Sequence, residues 1–239
     1  MSTPSEESRQ TIQRISADMI SQSMQDYLKA IYKSSSKNER VATTRLADKM
    51  GCSAASVTNM LQKLSALKLV LYEPYQGVLL TEGGQEIALE IIRHHRLIEL
   101  YLKEVLGYSW DKVHDEAEKL EHFISEEFED KIDEALGYPR TDPHGDPIPT
   151  KEEIKDGQVD QKHFHSLWEI ADAKNVRVCR VSDSNPEVLQ YLDTIGVFPD
   201  VELSVLKKAP FNGPVDIKIN TRTHSLSEEL ARQIFVVPA

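Results

Sequence analysis

The sequence predicts a mainly α-helical protein that ends in a small β domain. Three observations support this fold class. Residues 1–81 follow the order helix, helix, tight turn, helix and β-hairpin, residues 82–150 are helical and acidic, and residues 175–239 form short β-rich runs between turn residues. We therefore expect three structured parts, with a polar linker at residues 151–174 between the second and the third.

The N-terminal part has the pattern of a winged helix-turn-helix. A first helix is predicted over about 24–34, and a short second helix ends at Gly51, a typical residue just past a helix C-terminus. Ser53 can cap a third helix, and a β-hairpin follows with Gly77 in its turn. This order is that of winged-helix DNA-binding domains.

The third helix of this part is a candidate DNA-reading helix. Val57, Met60, Leu61 and Leu64 would be buried, which leaves small and polar residues on the other faces. Small residues allow close approach to the floor of a groove, and polar side chains can contact base edges or phosphates. A winged helix that contacts only protein is the alternative. The candidate DNA-contacting residues, with those of the neighbouring helix and the wing, are Arg45, Ser53, Ala55, Ser56, Thr58, Asn59, Lys63, Tyr75 and Gln76.

The net charge of −11 is spread unevenly along the chain. Residues 1–81 carry 10 basic against 7 acidic residues, whereas residues 82–160 carry 9 against 22. A mildly basic head suits contact with phosphate, and a strongly acidic middle suits cation binding. The alternative is that the acidic helices are simply solvated faces.

Acidic and histidine residues recur at helical spacing in two segments of the middle part. The first of these segments offers His95 and Glu99 as an i, i+4 pair. Such pairs are also common on solvated helices, so each set alone is a weak indication. The second segment offers a larger set of four residues, which share one helix face at i, i+4, i+7 and i+8. They are His114, Glu118, Glu121 and His122.

The ligand types narrow the choice of ion. Carboxylate oxygens with a minority of imidazoles and no thiolate favour Mn²⁺ or Fe²⁺ over ions that seek sulfur. Zn²⁺ can still bind in vitro, because the general order of affinities favours zinc over manganese.

The C-terminal part changes to β-rich sequence. Five short strands are predicted in about 65 residues, with short helices near 186–195 and after Ser225 or Ser227. Such spacing predicts a small barrel.

Several features of the whole chain point to the cytoplasm. No apolar stretch approaches the roughly 20 residues that a membrane span needs, and the polar first residues lack an apolar signal segment. Cys52 and Cys179 form no disulfide framework, which suits a reducing compartment. We expect no membrane partner.

Taken together, these motifs resemble the diphtheria-toxin-repressor family of iron- and manganese-dependent regulators, and within it the manganese-sensing members. The resemblance covers nearly the whole chain and is far more specific than any single motif. The matching stretches lie at 24–32, 53–64, 79–84, 93–99, 113–122 and 143–149.

The resemblance implies two metal sites, operator DNA as the partner, a homodimer, and a C-terminal SH3-like barrel of the ferrous-transport-protein-A type. Iron sensors of the family carry sulfur ligands where this chain has Asp26 and Glu118, so the resemblance indicates manganese. The positions that match the primary site are Asp26, Glu118, Glu121 and His122. Those that match the ancillary site are His95, Glu99 and His114, with Asp183 and Glu187 as the nearest candidates from the barrel.

Compact manganese sensors of the family have a further acidic ligand on the first helix, where this chain has Lys29. We therefore expect two separated sites rather than a binuclear cluster. We also expect a dimer interface in the long helices, around apolar residues such as Ile91, Ile92, Leu97 and Leu100. The alternative is that these residues belong to the core of a single chain, and some of them must.

The expected function is a metal-dependent DNA-binding regulator of metal-homeostasis genes, acting as a repressor of uptake. One alternative is a winged-helix regulator that responds to a non-metal ligand. A metal-dependent hydrolase is the other, although the sequence lacks the HExxH, nucleophile-elbow and phosphate-loop motifs of such enzymes.

Overall fold

The computed structural model describes residues 20–35, 39–157, 159, 164–171 and 174–239. In this part of the chain, no helix is both long and apolar enough to cross a membrane. The chain divides into two compact units, Met1–Ile92 with Pro149–Gln158, and Arg93–Ile148 with Val159–Ala239.

The described elements follow the predicted order. The helices are α1 Gln22–Ser34, α2 Thr43–Met50, α3 Ala54–Ala66, α4 Glu82–Glu104, α5 Val113–Leu120, α6 Glu126–Ala135, α7 Lys151–Asp156, α8 Pro186–Ile195 and α9 Glu228–Ala231, with a 3₁₀ turn at Leu167–Glu169. The strands are β1 Val70–Glu73, β2 Gly77–Leu80, β3 His165–Ser166, β4 Lys174–Val181, β5 Glu202–Lys208, β6 Val215–Ile219, β7 Arg222–Leu226 and β8 Ile234–Pro238.

The first unit is a winged helix-turn-helix, as predicted. Gly51 ends α2 in the left-handed conformation, with φ of 60°, which glycine adopts without a steric penalty. The side chain of Ser53 caps α3 by accepting a hydrogen bond from the Ser56 backbone N–H at 3.2 Å. Leu46 of α2 and Leu61 of α3 are fully buried in the shared core. The turn, the cap and the shared core therefore fix the orientation of α3 relative to α2.

The wing is held to the body of this unit by Arg40 and Gly77. The Arg40 guanidinium donates to the carbonyl oxygens of Leu71 at 3.2 Å and Gly77 at 3.3 Å, and it pairs with Glu73. Gly77 has φ of 97°, and a Cβ there would lie 2.5 Å from the Val41 carbonyl oxygen. The wing is thus a fixed hairpin rather than a loose loop.

The helical part of the second unit differs from the prediction at one point. The sequence predicts one helix from Ser109 or Asp111 to about Leu136, but that prediction is wrong because the helix is broken between α5 and α6. The side chain of Ser125 accepts from the Phe128 backbone N–H at 3.2 Å and so caps a new helix. Glu121 and His122 consequently lie in a turn rather than inside a long helix.

The β domain is a six-stranded antiparallel sheet in the order β3-β8-β4-β5-β6-β7. The five predicted strands are present, and β3 was missed because it is only two residues long. Bulges between Val178 and Arg180 and between Val205 and Lys207 shift the strand register; such bulges increase the twist of a sheet. Fully buried side chains such as Leu189 and Ile217 form its core.

Within the second unit, the helices and the sheet share contacts. Trp110, which precedes α5, belongs to the core of the β domain. The Gln190 amide donates to Asp111 at 2.8 Å, and Arg180 pairs with Asp146 at 2.8 Å. These contacts hold the loop before α5 and the loop after α6 against the β domain.

The predicted dimer-interface residues are mostly core residues of a single chain. Ile91, Ile92 and Leu97 are at most 4% exposed, and Leu100 is half-buried. The first three are therefore core residues, which is the alternative that the sequence left open, because apolar periodicity on a helix does not distinguish an intramolecular partner from a second chain. The exposed large apolar side chains of the helical region are instead Val105, Leu106, Tyr108, Leu120, Phe123, Phe128 and Tyr138.

Candidate metal centre

Helix α4 places two predicted ligands in the interior of the second unit. His95 and Glu99 lie one helical turn apart and are 2% and 0% exposed. A buried carboxylate is strongly unfavourable unless cations or hydrogen-bond donors surround it. The groups around Glu99 therefore decide what this site can bind.

Four predicted ancillary residues converge on one point. Glu99 Oε1 lies 2.9 Å from His95 Nε2 and 3.1 Å from His114 Nδ1, and the two histidine nitrogens lie 3.1 Å apart. Asp183, from the β domain, brings Oδ2 to 3.3 Å from His114 Nδ1. One ligand atom from each residue lies within 4.8 Å of the other three. Carboxylate oxygens and imidazole nitrogens that converge in this way fit a divalent cation.

Glu187 does not join this group. It is exposed on the first turn of α8, where its backbone N–H donates to the Asn185 side chain at 2.9 Å. In the described part of the chain it belongs to none of the potential metal-binding groups.

Asp142 and His144 extend the centre, and the sequence analysis did not identify them. Both are buried, and with Glu99 they form a second group of potential ligands. His144 Nε2 lies 2.9 Å from the Trp110 carbonyl oxygen, which directs Nδ1 toward Glu99 Oε2 at 3.8 Å. Among the described residues, neither of these two facing atoms has a hydrogen-bond partner. A cation between them would satisfy both atoms.

The loop that carries these residues is tightly built. Asp142 Oδ1 accepts the backbone N–H groups of His144 at 2.8 Å and Asp146 at 3.0 Å. Gly145 has φ of 90° and lies against the backbone of Cys179. The stretch 143–149 matches the family pattern, but its residues are mostly turn formers, and the sequence analysis predicted none of them as a ligand.

The charges in the centre shift the pKa values of its members. Burial raises the pKa of Glu99, but His95, His114 and His144 outweigh this and hold it well below its usual range. Burial lowers the pKa of His114, but Asp183 and Glu99 outweigh it and raise the pKa to about 10. Burial, together with Glu99 and Asp146, raises the pKa of Asp142 to about 7. Burial opposes a similar rise at His144, where Glu99 and Asp142 bring the pKa to about 9.

These pKa values predict that metal binding releases protons. Well below pH 9, His114 and His144 are positively charged imidazolium groups in the metal-free protein. An imidazolium must lose one proton before that nitrogen can bind a cation. The apparent Mn²⁺ affinity should therefore rise between pH 6 and pH 8. Calorimetric titration in buffers of different ionisation enthalpy measures the protons released.

The His114→Gln variant should release about one proton fewer than the wild type. His165→Gln is the matched control, because His165 is exposed and lies outside the centre. Equal proton release by all three proteins would contradict this account of the site.

The predicted primary residues are divided between the two units. Asp26 lies half-buried on α1 of the first unit. In the second unit, Glu121 is fully buried and Glu121 Oε1 lies 3.4 Å from His122 Nε2. The Glu118 side chain is 41% exposed, and its Oε1 lies 3.8 Å from His95 Nδ1. Glu118 and Glu121 also form a potential metal-binding group with His95.

The predicted DNA-contacting residues lie mostly on the surface of the first unit. Thr58 is half-buried and donates to the Ala54 carbonyl at 2.9 Å, and the hydroxyls of Ser53 and Ser56 are 2.9 Å apart. Tyr75 is fully exposed on the wing. The exposed members of the predicted set are Arg45, Ser53, Ala55, Ser56, Asn59, Lys63, Tyr75 and Gln76.

Comparisons with known proteins match all three predicted parts. Residues 19–78 match the iron dependent repressor N-terminal DNA binding domain, 81–150 the iron dependent repressor metal binding and dimerisation domain, and 165–238 the FeoA domain. A diphtheria toxin repressor from Corynebacterium jeikeium is 30% identical over 160 residues, which is 67% of each chain.

The chain belongs to the diphtheria-toxin-repressor family. Members of the diphtheria-toxin-repressor family are DNA-binding transcriptional repressors rather than enzymes, which removes the hydrolase alternative. The FeoA match confirms the predicted SH3-like fold of the β domain.

Further members of the diphtheria-toxin-repressor family cover most of the chain. The iron-dependent repressor IdeR of Mycobacterium tuberculosis is 27% identical over 218 residues, covering 88% of this chain and 94% of IdeR. A solved manganese-dependent transcriptional repressor in complex with manganese is 39% identical, covers 90% of this chain and all of its own, and superposes with a TM-score of 0.81. ScaR with bound Cd²⁺ is 32% identical over 90% of this chain and 99% of its own, with a TM-score of 0.76.

Proposed function

We propose that the protein is a manganese-responsive repressor that acts in the cytoplasm on genes of metal uptake. The observation that carries this proposal is the sulfur-free donor set of the buried centre, which combines carboxylates with imidazoles. Cys179 is not part of this set, since its thiol donates to the Phe235 carbonyl at 3.2 Å. Oxygen and nitrogen donors of this kind suit Mn²⁺, with Fe²⁺ as the nearest competitor. The similar solved repressor in complex with manganese supports the same ion.

The proposed primary site has the four ligands that the family resemblance implies. Asp26 is the ligand from the DNA-binding unit, and Glu118, Glu121 and His122 are the ligands from the second unit. A bound divalent cation supplies the positive charge that offsets repulsion among three carboxylates. Metal binding at Asp26 can affect the DNA-binding unit, because α1 packs into the winged-helix core through Leu28 and Ile31.

The proposed ancillary site uses His95, Glu99, His114 and Asp183. Because Asp183 belongs to the β domain, this site ties that domain to the helices. Asp142 and His144 provide further donors around the shared carboxylate of Glu99. We regard these two residues as part of the same centre.

The proposed assembly is a homodimer on double-stranded operator DNA. The exposed apolar side chains near the end of α4 and beside α5 and α6 offer the dimer surface, with Leu106 and Phe123 among the most exposed. Two copies of α3 would then enter successive major grooves, whose spacing is set by the dimer. The −13 net charge of residues 82–160 makes this region unsuited to DNA contact, so the mildly basic residues 1–81 approach the phosphates.

Operator binding titrated in parallel with Mn²⁺, Fe²⁺ and Zn²⁺ tests the proposed function. The DNA is a duplex selected by the protein from a random pool in the presence of Mn²⁺. We expect Mn²⁺, at micromolar or lower concentrations, to raise the affinity of the protein for this duplex. Equal affinity with and without metal would favour a regulator that responds to a non-metal ligand.

A pair of substitutions on α3 tests how this helix reads DNA. Asn59→Ala should weaken binding to the selected duplex by about 1–3 kcal/mol and relax its specificity, because asparagine can pair with a base edge. Lys63→Ala should weaken binding to every sequence and lower the slope of log affinity against log salt by about 0.9, because lysine neutralises phosphate.

Gel shifts at several salt concentrations measure both quantities. Lys112→Ala, in the second unit, is the matched control for Lys63. If Asn59→Ala alters the salt slope but not the base preference, the proposed role of α3 in reading bases is wrong.

A further inference from the structure

We infer that Gln190 is a positioning residue for the ancillary site. Its hydrogen bond to Asp111 holds Asp183, a ligand from the β domain, beside the helices that carry the other ligands. This inference rests on the proposed function, because it takes Asp183 as a metal ligand. It deepens that function by naming a side-chain contact, inside the second unit, that aligns the β domain with the metal-binding helices.

The four proposed ancillary ligands come from different parts of the second unit. His95 and Glu99 belong to α4 and His114 to α5, whereas Asp183 lies between β4 and α8. The Asp183 carboxylate reaches His114 with Oδ2 at 3.3 Å from Nδ1. This distance depends on how the β domain packs against the helices. A ligand that is held in place before the ion arrives loses less freedom on binding, which raises the affinity.

Main-chain bonds fix the chain just before Asp183. The Val181 N–H donates to the His144 carbonyl oxygen at 2.8 Å, and the Ser182 N–H donates to the Gln233 carbonyl oxygen at 2.9 Å. These two bonds set where the chain leaves β4. Neither of them involves a residue of α5.

The chain after Asp183 runs into α8, which carries Gln190. The Gln190 side-chain amide donates from Nε2 to Asp111 Oδ2 at 2.8 Å. Asp111 precedes α5 and lies three residues before His114 in the sequence. One hydrogen bond therefore joins the helix that follows Asp183 to the residues that lead into the helix of His114.

Asp111 is a strong acceptor for this bond. It is only 9% exposed. The bond from Gln190, together with one from Ser109, outweighs burial and lowers the pKa of Asp111, so the carboxylate is ionised at neutral pH. Hydrogen bonds to an ionised acceptor are roughly twice as strong as those between neutral groups. The bond thus fixes the distance between α8 and the residues before α5.

Gln190 can be replaced without removing a core side chain or a proposed ligand. Its side chain is exposed, and it carries neither a carboxylate nor an imidazole. Trp110 still lies in the core of the β domain, and Arg180 still pairs with Asp146. Loss of the Gln190 bond should therefore shift the position of Asp183 rather than unfold the unit.

Gln190→Glu tests the inference in the full-length protein, by calorimetric titration with Mn²⁺ at neutral pH. Glutamate has nearly the shape of glutamine, but its carboxylate repels that of Asp111. We expect the ancillary binding step to weaken about tenfold, the lower end of what substitutions outside the ligand set typically cost. Thr194→Glu adds the same charge at an exposed position one turn further along α8, and this matched control should leave the step unchanged.

A swapped pair separates the loss of this bond from a general loss of structure. In Asp111→Asn/Gln190→Glu the asparagine amide can donate to the glutamate, so the bond returns in the opposite direction with the net charge of the wild type. We expect this double variant to bind Mn²⁺ at the ancillary site within about twofold of the wild type. Ancillary binding that stays weak in the swapped pair would overturn the inference.

Asp183→Ala identifies the ancillary step in the titration, as the step that this variant weakens or removes. An ancillary affinity unchanged in Gln190→Glu would overturn the inference alone and leave the proposed function standing. If Asp183→Ala changes neither binding step, the proposed ancillary site is wrong and the inference fails with it. Absence of any Mn²⁺ binding by the wild type would contradict the proposed function itself.

Discussion

Replacing Glu121 with glutamine is expected to abolish the manganese dependence of operator binding while leaving the fold intact. The glutamine side chain has nearly the same shape, and its carbonyl oxygen can still accept the bond from His95. It lacks the negative charge that attracts a cation. Since even outer-shell substitutions typically lower metal affinity by 10–100-fold, the loss of this ligand should cost about 100-fold or more.

Asp26→Asn should have the same effect on operator binding for a different reason. Asp26 is the only proposed primary ligand in the DNA-binding unit. Without it, a cation can still bind the second unit but has no differential affinity for the DNA-competent arrangement, and a ligand without such a difference shifts no equilibrium. Mn²⁺ titration by calorimetry and fluorescence anisotropy with the selected duplex separates metal binding from DNA response.

Two exposed acidic residues provide matched controls. Glu127→Gln on α6 and Asp156→Asn at the end of α7 remove the same charges away from the proposed ligands. Both should keep the manganese response. If Asp26→Asn and Glu121→Gln also keep it, the assignment of the primary site is wrong.

A second large effect is expected from Gly145→Ala, in the loop that carries Asp142 and His144. A Cβ at this position would lie 2.1 Å from the Cys179 carbonyl oxygen and 2.9 Å from Arg180 Cα, and its φ of 90° is unfavourable for alanine. Both neighbours are backbone atoms, so the loop itself must move. We expect the free energy of unfolding of the second unit to fall by about 2 kcal/mol or more.

The movement of the loop should also take His144 away from Glu99. The Gly145→Ala variant should therefore bind metal more weakly at the ancillary site as well as unfold more easily. Gly107→Ala is the control, because Gly107 has φ of 72° but no atom within 4 Å of its would-be Cβ. The free energy of unfolding of Gly107→Ala should fall only by the backbone strain, about 1 kcal/mol. Equal losses for the two variants in urea unfolding would show that the close contact at Gly145 is unimportant.

Much of the first unit could be predicted from its sequence because its signals are local. Gly51 as a left-handed helix end and Ser53 as a helix cap act over one turn of chain, and the structure confirms both. The break between α5 and α6 was missed because helical spacing continues across it. Ser125 reads as an ordinary polar residue until the chain geometry makes it a cap.

The candidate metal centre was predictable only in part. His95, Glu99 and His114 have helical spacing, and family resemblance supplied Asp183 from the barrel. His144 has no periodic signal, because its function depends on a loop whose shape is set by Gly145 and by packing against Trp110. The exposure of Phe123 was likewise not predicted, since tertiary packing decides which apolar side chains are buried.

We propose that manganese and operator DNA favour the same state of the protein, with Asp26 as the metal ligand from the DNA-binding unit. Thermodynamic linkage makes this claim reciprocal: if Mn²⁺ raises operator affinity by some factor, operator DNA must raise Mn²⁺ affinity by the same factor. The most direct measurement is therefore Mn²⁺ affinity with and without saturating operator duplex. We predict tighter Mn²⁺ binding on the operator in the wild type and no change in Asp26→Asn. An Mn²⁺ affinity that is the same with and without operator in the wild type would contradict the account.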